Sequence, residues 1–440
     1  MQRCDTLIHT RWCVPVEPSE TVLSDHAVVI SDGRIIDLLP NDAARENYLP
    51  SAFIDRPDHL LIPGLINAHT HAAMTLFRGI ADDLPLDTWL SDGIWPHEKR
   101  WASAEMVRDG TRHAIAEMLR AGITCFSDQY FFPEVVAETA LELHMRAVIG
   151  TPVIDFATAW AANASECLDK GVELVHDRYA DDPLIGTAFA PHSTYVVSDD
   201  AFHRLRVVAD QLDARIQIHL HESTQEVEHS IQMTGKRPIH RLDELGLMNS
   251  SLLAVHAVHL TDDEIRQMAE AGVSVVHCPR SNLKLGNGIA RTEDLRAAGI
   301  AVALGTDGAA SNNVLDILGE MRTASLLAKA INSDASALPA VDVLRMATID
   351  GARVLGLADS IGSIQRGKWA DLTCINMRTL NSQPVYDALS QIVYTVQSDQ
   401  VSDVWVAGRH LVDNGALTKI RESDILVRSA EWQHRIAATQ

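Results

Sequence analysis

The stretch Leu61-Ile-Pro-Gly-Leu-Ile-Asn-Ala-His69-Thr-His71 closes an apolar run with two histidines two residues apart. Along a strand, side chains at i and i+2 share a face, so both imidazoles can converge on one point. Neutral imidazole is a favoured zinc ligand, and two on one face supply half of a tetrahedral site. Two such histidines can equally finish a strand as hydrogen-bonded polar groups. The choice rests on what the rest of the chain brings to the same place.

Downstream, short apolar runs alternate with amphipathic helical patterns, the mark of repeated βα units around a parallel sheet. Eight strands are expected at 65–68, 124–127, 147–150, 185–190, 216–220, 252–255, 273–277 and 301–305. Helical patterns fall between them at 104–120 and 201–212, the second opening after Ser198-Asp-Asp. Thr261-Asp-Asp-Glu264 reads as a capping box before 265–271. Eight such units predict an α/β fold built on a (β/α)8 TIM barrel. A doubly wound open sheet is the competitor, but no Gly-x-Gly-x-x-Gly follows the first strand.

Both ends of the chain have a different texture. Ala27-Val-Val-Ile30, the turn Ser31-Asp-Gly33 and Arg34-Ile-Ile36 read as a hairpin. Ala370-Asp-Leu-Thr-Cys-Ile375 and Val401-Ser-Asp-Val-Trp-Val-Ala407 are β-rich again. The simplest arrangement joins residues 1–60 and 366–440 as a composite β-sandwich, with the barrel at 61–365 inserted between them.

With 37 basic against 59 acidic residues the net charge is −22. Such a surface repels phosphate backbones and anionic lipid, which argues against nucleic-acid or membrane partners. No apolar stretch is long enough for a bilayer, and the first residues lack the basic-then-apolar order of a secretory signal. The six cysteines are scattered with no Cys-x-x-Cys pair, as suits a reduced cytoplasm. Cys125 and Cys278 lie in apolar runs and read as small buried hydrophobes. A cytoplasmic location is expected.

Catalytic side chains of a barrel belong at the C-terminal ends of its strands. His69 and His71 end the first predicted strand and His192 the fourth. His219, His221 and Glu222 end the fifth, His256 the sixth and His277 the seventh, and Asp307 follows the eighth. Singly, each reads as a core or surface residue; together at strand ends they point to a metal-dependent site. The i, i+2 rule puts His221 on the same face as His219, so spacing alone leaves both open as ligands.

The motifs Pro63-Gly64 to His69-Thr-His71, His219-Leu-His-Glu222, His256-Ala-Val-His259, His277-Cys-Pro-Arg-Ser-Asn282 and Gly305-Thr-Asp307-Gly resemble the amidohydrolase superfamily, in its mononuclear deaminase and chlorohydrolase branch. The resemblance runs through the whole barrel and implies His69, His71, His219 and Asp307 as metal ligands. No separate lysine at the fourth strand end is available to bridge two metals, so one divalent ion is implied. Ligand type favours zinc, although iron and manganese accept similar sets. A bound metal lowers the pKa of its water toward ~7. Glu222 would then carry a proton from that water to a substrate ring nitrogen. His256 would orient the nucleophile, and Asp307 would pass the last proton to departing ammonia. Glu222 read without the resemblance is an acid at a helix start.

Phe77-Arg-Gly-Ile-Ala-Asp-Asp-Leu-Pro-Leu86, Trp89-Leu, Ile94-Trp-Pro-His-Glu98, Pro191-His-Ser-Thr-Tyr195 and Ser281-Asn-Leu-Lys-Leu-Gly286 resemble the methylthioadenosine/S-adenosylhomocysteine deaminases. That resemblance implies a small-molecule nucleoside substrate, held at its ribose hydroxyls by Glu98 and contacted by His192. A carboxylate can accept from two vicinal hydroxyls; the plainer reading of Glu98 is a solvated loop charge beside Lys99 and Arg100. Some members carry an arginine after the third strand, whereas Thr151-Pro-Val-Ile-Asp-Phe-Ala-Thr-Ala-Trp160 has none. A buried carboxylate without a cation is costly. An apolar 5′-methylthio group against Trp89, Phe156 and Trp160 is therefore expected ahead of a homocysteine tail or adenosine. The alternatives are a triazine-type chlorohydrolase, another purine or pyrimidine deaminase, or an inactive barrel that only binds. A homo-oligomer is expected.

Overall fold

Strands β1 (Gln2–Cys13), β2 (Leu23–Ser31), β3 (Arg34–Pro40) and the long β4 (Tyr48–Pro63) open the chain. The computed structural model describes residues 1–438. The β2–β3 hairpin turns on Asp32 and Gly33, with φ of 50° and 74°, the two positive values that a type I′ turn requires.

Eight further strands follow: β5 (Leu65–Thr70), β6 (Ile123–Gln129), β7 (Arg146–Val153), β8 (Ile185–Pro191), β9 (Arg215–Leu220), β10 (Leu252–His256), β11 (Ser274–His277) and β12 (Val302–Leu304). They form one sheet in sequential order, and the ladders from β7 through β12 are parallel. Every residue of β5, β6 and β7 is buried, because a parallel sheet is covered on both faces. Just beyond β12, the Asp307 backbone N–H donates to the His69 carbonyl of β5 at 3.0 Å. The last strand end thus meets the first, as closure of a barrel requires. All eight anticipated strands are present, with their ends displaced by a few residues at most.

Gly305 marks how close that meeting is. A Cβ there would lie 2.8 Å from Val276 Cγ1 and 3.0 Å from both the backbone nitrogen and the Cβ of His69. Gly305→Ala should therefore cost about 1–3 kcal/mol through overpacking. It should also displace His69, read as a lower Tm together with weaker metal retention.

The helices begin where their caps predict. Ser198 Oγ accepts from Ala201 N–H at the start of Asp199–Leu212, and Thr261 with Glu264 forms a complete capping box before Asp262–Ala271. Ala104–Arg120 is helical as expected.

Strands β13 (Leu372–Asn376), β14 (Val401–Val406), β15 (Arg409–Asp413) and β16 (Ala416–Leu417) return to the first four, in the order β16-β15-β14-β13-β4-β1-β2-β3. The two ends are joined by the antiparallel β4–β13 pair, with Leu61 opposite Cys374. Ile8, Ile30, Leu61, Leu372 and Trp405 share one core there. By contact, residues 1–67, 116–125 and 316–422 form one compact group, and 68–115, 126–315 and 423–438 form another. The last segment is helical rather than β: in Glu422–Ala437, Arg428 Nε and Trp432 Nε1 both donate to Asp109 Oδ2, at 2.6 and 2.8 Å. Burial of Ile425, Trp432 and Ile436 on one face is the periodic signal for that helix. All six cysteines are buried, and among the described residues none is in a disulfide. Among the described residues no helix is long and apolar enough to cross a membrane.

Candidate active site

The strand ends bring four imidazoles and a carboxylate together. His219 Nε2 lies 3.2 Å from His69 Nε2. Asp307 Oδ1 is 3.5 Å from His69 Nε2 and 3.1 Å from His71 Nε2. The donor atoms of His69, His219, His256 and Asp307 all fall within 4.8 Å of one another. Two four-residue sets therefore share His69, His219 and Asp307, and differ in whether His71 or His256 completes them.

Each ring is held from behind. The His71 and His219 Nδ1 atoms face the carbonyls of Gln129 and His192, each at 2.6 Å. A carbonyl only accepts, so both Nδ1 atoms carry a proton, and both Nε2 atoms point to the centre, where a cation could take their lone pairs. His256 Nδ1 meets Asn282 Oδ1 at 2.8 Å. The Gln217 amide lies 2.8 Å from His69 Nδ1 and 3.0 Å from Ser127 Oγ, so either end of the amide can face the ring. Gln217 and Gln129 carry no sequence signal as ring supports, because their role depends on neighbouring strands.

Asp307 supplies the test of whether this set suits a cation. Its Oδ2 accepts from the Ser281 and Ser311 hydroxyls, each at 2.6 Å. Its Oδ1 is buried with no hydrogen-bond donor and points among the histidine Nε2 atoms. An orphaned carboxylate oxygen costs several kcal/mol unless a proton or metal meets it. Burial alone would raise the Asp307 pKa, but His69 and His71 hold it well below the usual carboxylate range. Burial pulls His69 down to about 4. For His71, burial is outweighed by the Asp307 carboxylate, which lifts it to about 9. Three imidazoles around one unpaired carboxylate oxygen fit a divalent metal of the zinc type.

Glu222 stands beside this cluster, just ahead of Ser223, which caps the helix Thr224–Thr234. Its Oε1 accepts from Asn287 Nδ2 at 2.9 Å and lies 3.8 Å from His256 Nε2. Its pKa is raised, chiefly by burial. His221 does not share the His219 face. Strand β9 ends at Leu220, and His221 adopts φ = 54°, which turns its ring away. There its Nδ1 donates to the His259 carbonyl at 3.0 Å and its Nε2 accepts from Ile239 N–H at 3.2 Å. The i, i+2 rule failed because the strand had already ended. His256 and Asp307 likewise have positive φ, 73° and 61°; such strained backbone gathers at functional sites.

A cavity of about 550 Å³ opens onto the cluster. His71, Trp89, Glu98, His192, His219, Glu222, His256 and Asp307 line it, while His69 lies fully buried behind. Burial pushes the Glu98 carboxyl up to about 7 against the opposing pull of the Tyr130 hydroxyl. Burial and the neighbouring His71 lower His192 to about 4, leaving a neutral ring. The apolar wall includes Phe156 and Trp89, as expected, but Trp160 is absent from it. Trp160 instead packs with Ala161 and Cys167 and donates to Glu134 Oε2 at 3.1 Å. Trp95, Tyr130 and Phe131 line the cavity without having been anticipated. Residues 151–160 supply no cation, as read, yet the lining does include Lys99.

Residues 60–411 match the Amidohydrolase family, and the chain belongs to that family. It is 45% identical over 434 residues to a 5-methylthioadenosine/S-adenosylhomocysteine deaminase of Teredinibacter turnerae, covering 99% of this chain and 98% of that one. Among solved structures, an adenosine deaminase from Xanthomonas campestris with bound zinc superposes with a TM-score of 0.98, at 49% identity and full coverage of both chains. The zinc complex of an atrazine chlorohydrolase from Arthrobacter aurescens shares the fold, with a TM-score of 0.90 at 24% identity, over 97% of this chain and 99% of the other.

Proposed function

We propose that this chain hydrolyses the C6 amine of adenine nucleosides, taking 5′-methylthioadenosine first and S-adenosylhomocysteine or adenosine less well. The products are the inosine analogue and ammonia. One observation carries the reading: a single cavity joins the orphaned Asp307 Oδ1 and the Glu222 carboxyl to an apolar wall with a second carboxyl, Glu98.

His69, His71, His219 and Asp307 would hold one divalent metal, zinc by donor type. When bound, such a metal acts as a Lewis acid and makes hydroxide available near neutral pH. Glu222 takes the proton from the attacking water and delivers it to a purine ring nitrogen, which makes C6 electrophilic. His256, pinned through Nδ1 by Asn282, orients the nucleophile with its Nε2. Asp307 moves the last proton to the departing amine. Glu98 accepts from the two ribose hydroxyls, and neutral His192 contacts the nucleoside.

Trp89 and Phe156 suit the methylthio group. Lys99 favours a second reading for the same site, since its ammonium can meet the carboxylate of a homocysteine tail at the cavity rim.

Loss of adenine absorbance with stoichiometric ammonia from methylthioadenosine tests the assignment. Turnover of guanine or chlorotriazines with none of adenine nucleosides would overturn it. Glu98→Ala should raise KM for methylthioadenosine roughly 10–100-fold, as expected where a buried polar partner is lost. A 2′,3′-dideoxy analogue should show no such change; equal losses on both substrates would remove Glu98 from the ribose.

A further inference from the structure

The segment that follows β11, the short helix Pro279–Lys284 and the loop after it, holds both groups nearest the proton transfer. Asn282 Oδ1 fixes His256 through Nδ1 at 2.8 Å, and Asn287 Nδ2 donates to Glu222 Oε1 at 2.9 Å. The two asparagines are tied to each other, since Asn287 N–H donates to the Asn282 carbonyl at 2.9 Å. The outer end of the loop is anchored as well: His259 Nε2 meets the Asn287 carbonyl at 2.7 Å. Arg237 Nη2 in turn donates to the His259 carbonyl at 2.7 Å, and its guanidinium grips the buried Glu264 carboxylate at 2.6 and 2.9 Å. Asn287 is 6% exposed and Asn282 1%. On the opposite side, Glu226 Oε2 accepts from the Glu222 backbone N–H at 2.7 Å. Both the main chain and one carboxylate oxygen of Glu222 are therefore held.

The geometry points to Asn287 as a positioning residue that decides which oxygen of Glu222 works. A carboxylate only accepts, so the Asn287 atom facing it is the amide nitrogen. That N–H takes one lone pair of Oε1, the oxygen that also faces His256, and favours Oε2 as the oxygen that receives the proton from water and gives it to the purine nitrogen. The anchored loop keeps the Glu222 plane in one orientation throughout, so the proton is picked up and delivered without a rotation about the terminal torsion. Proton transfer needs such fixed, short geometry. The inference rests on Glu222 being the proton carrier.

Asn287→Ala removes the donor and Asn287→Asp replaces it, at the same size, with an acceptor facing Oε1. Both should lower kcat, Ala by roughly 10–100-fold, with KM for methylthioadenosine within about threefold and metal content unchanged. The aspartate should be the worse of the two despite its better fit. A packing role predicts the reverse order, and that order would overturn the inference, as would metal loss or a change confined to KM. Glu222→Gln separates the two layers. If it is active, the proposed role of Glu222 fails. If it is inactive, adding Asn287→Ala should lower the residual rate no further, because both act in one step; a full additional loss would reject the coupling.

Discussion

Glu222→Gln is expected to keep its metal and to lose turnover by about 10²–10⁴-fold, the range for removing a general acid–base group. The amide keeps the side-chain length, and none of the ring atoms that converge on Asp307 Oδ1 belongs to residue 222. What it cannot do is take a proton and return it. Burial raises the Glu222 pKa while His256 and the Asn287 amide oppose the rise. Single-turnover measurements with elemental analysis of the same sample check this. A variant retaining more than about a tenth of the wild-type rate would exclude Glu222 as the carrier.

The second large effect separates His71 from His256. His71 Nε2 lies 3.1 Å from the orphaned Asp307 Oδ1, and its Nδ1 proton is committed to the Gln129 carbonyl. His256 Nε2 faces the Glu222 carboxyl at 3.8 Å. His71→Ala should therefore purify largely without metal and with turnover reduced by more than about 10³-fold, as for removal of a direct ligand. His256→Ala should retain close to one metal per chain and lose roughly 10²–10³-fold in kcat, the cost of a lost transition-state contact. Metal retained in the first variant and lost in the second would assign the ligand set His69, His219, His256 and Asp307. His221→Ala should leave metal content unchanged, because that ring is turned away from the cluster.

Much of this site is legible in the chain because its chemistry is tied to strand ends. The apolar runs mark the strands, and the ligand-type residues close them, so His69, His219, His256 and Asp307 could be placed before any contact was known. The reading failed where local backbone departs from the strand. His221 follows the alternation rule on paper, but one positive φ turns it out of the site. Trp160 follows a strand as Phe156 does, yet it packs against Cys167 and leaves the cavity wall to Trp95, Tyr130 and Phe131. Lys99, read as an ordinary neighbour of Glu98, proves to line the cavity.

By itself, then, the sequence determined the periodic parts of this protein: eight βα units, a β-structured pair of ends, and a metal-type residue at most strand ends. These are local properties, written in hydrophobic period and residue type. Tertiary structure alone decided which ring nitrogens face the centre, since each is set by a carbonyl or amide from elsewhere in the fold. It also decided that one Asp307 oxygen is satisfied by two serines while the other is left for a cation. Finally, it placed Asn287 against Glu222, 65 residues away in sequence. Interactions of that kind depend on closure of the barrel, and no window of sequence contains them.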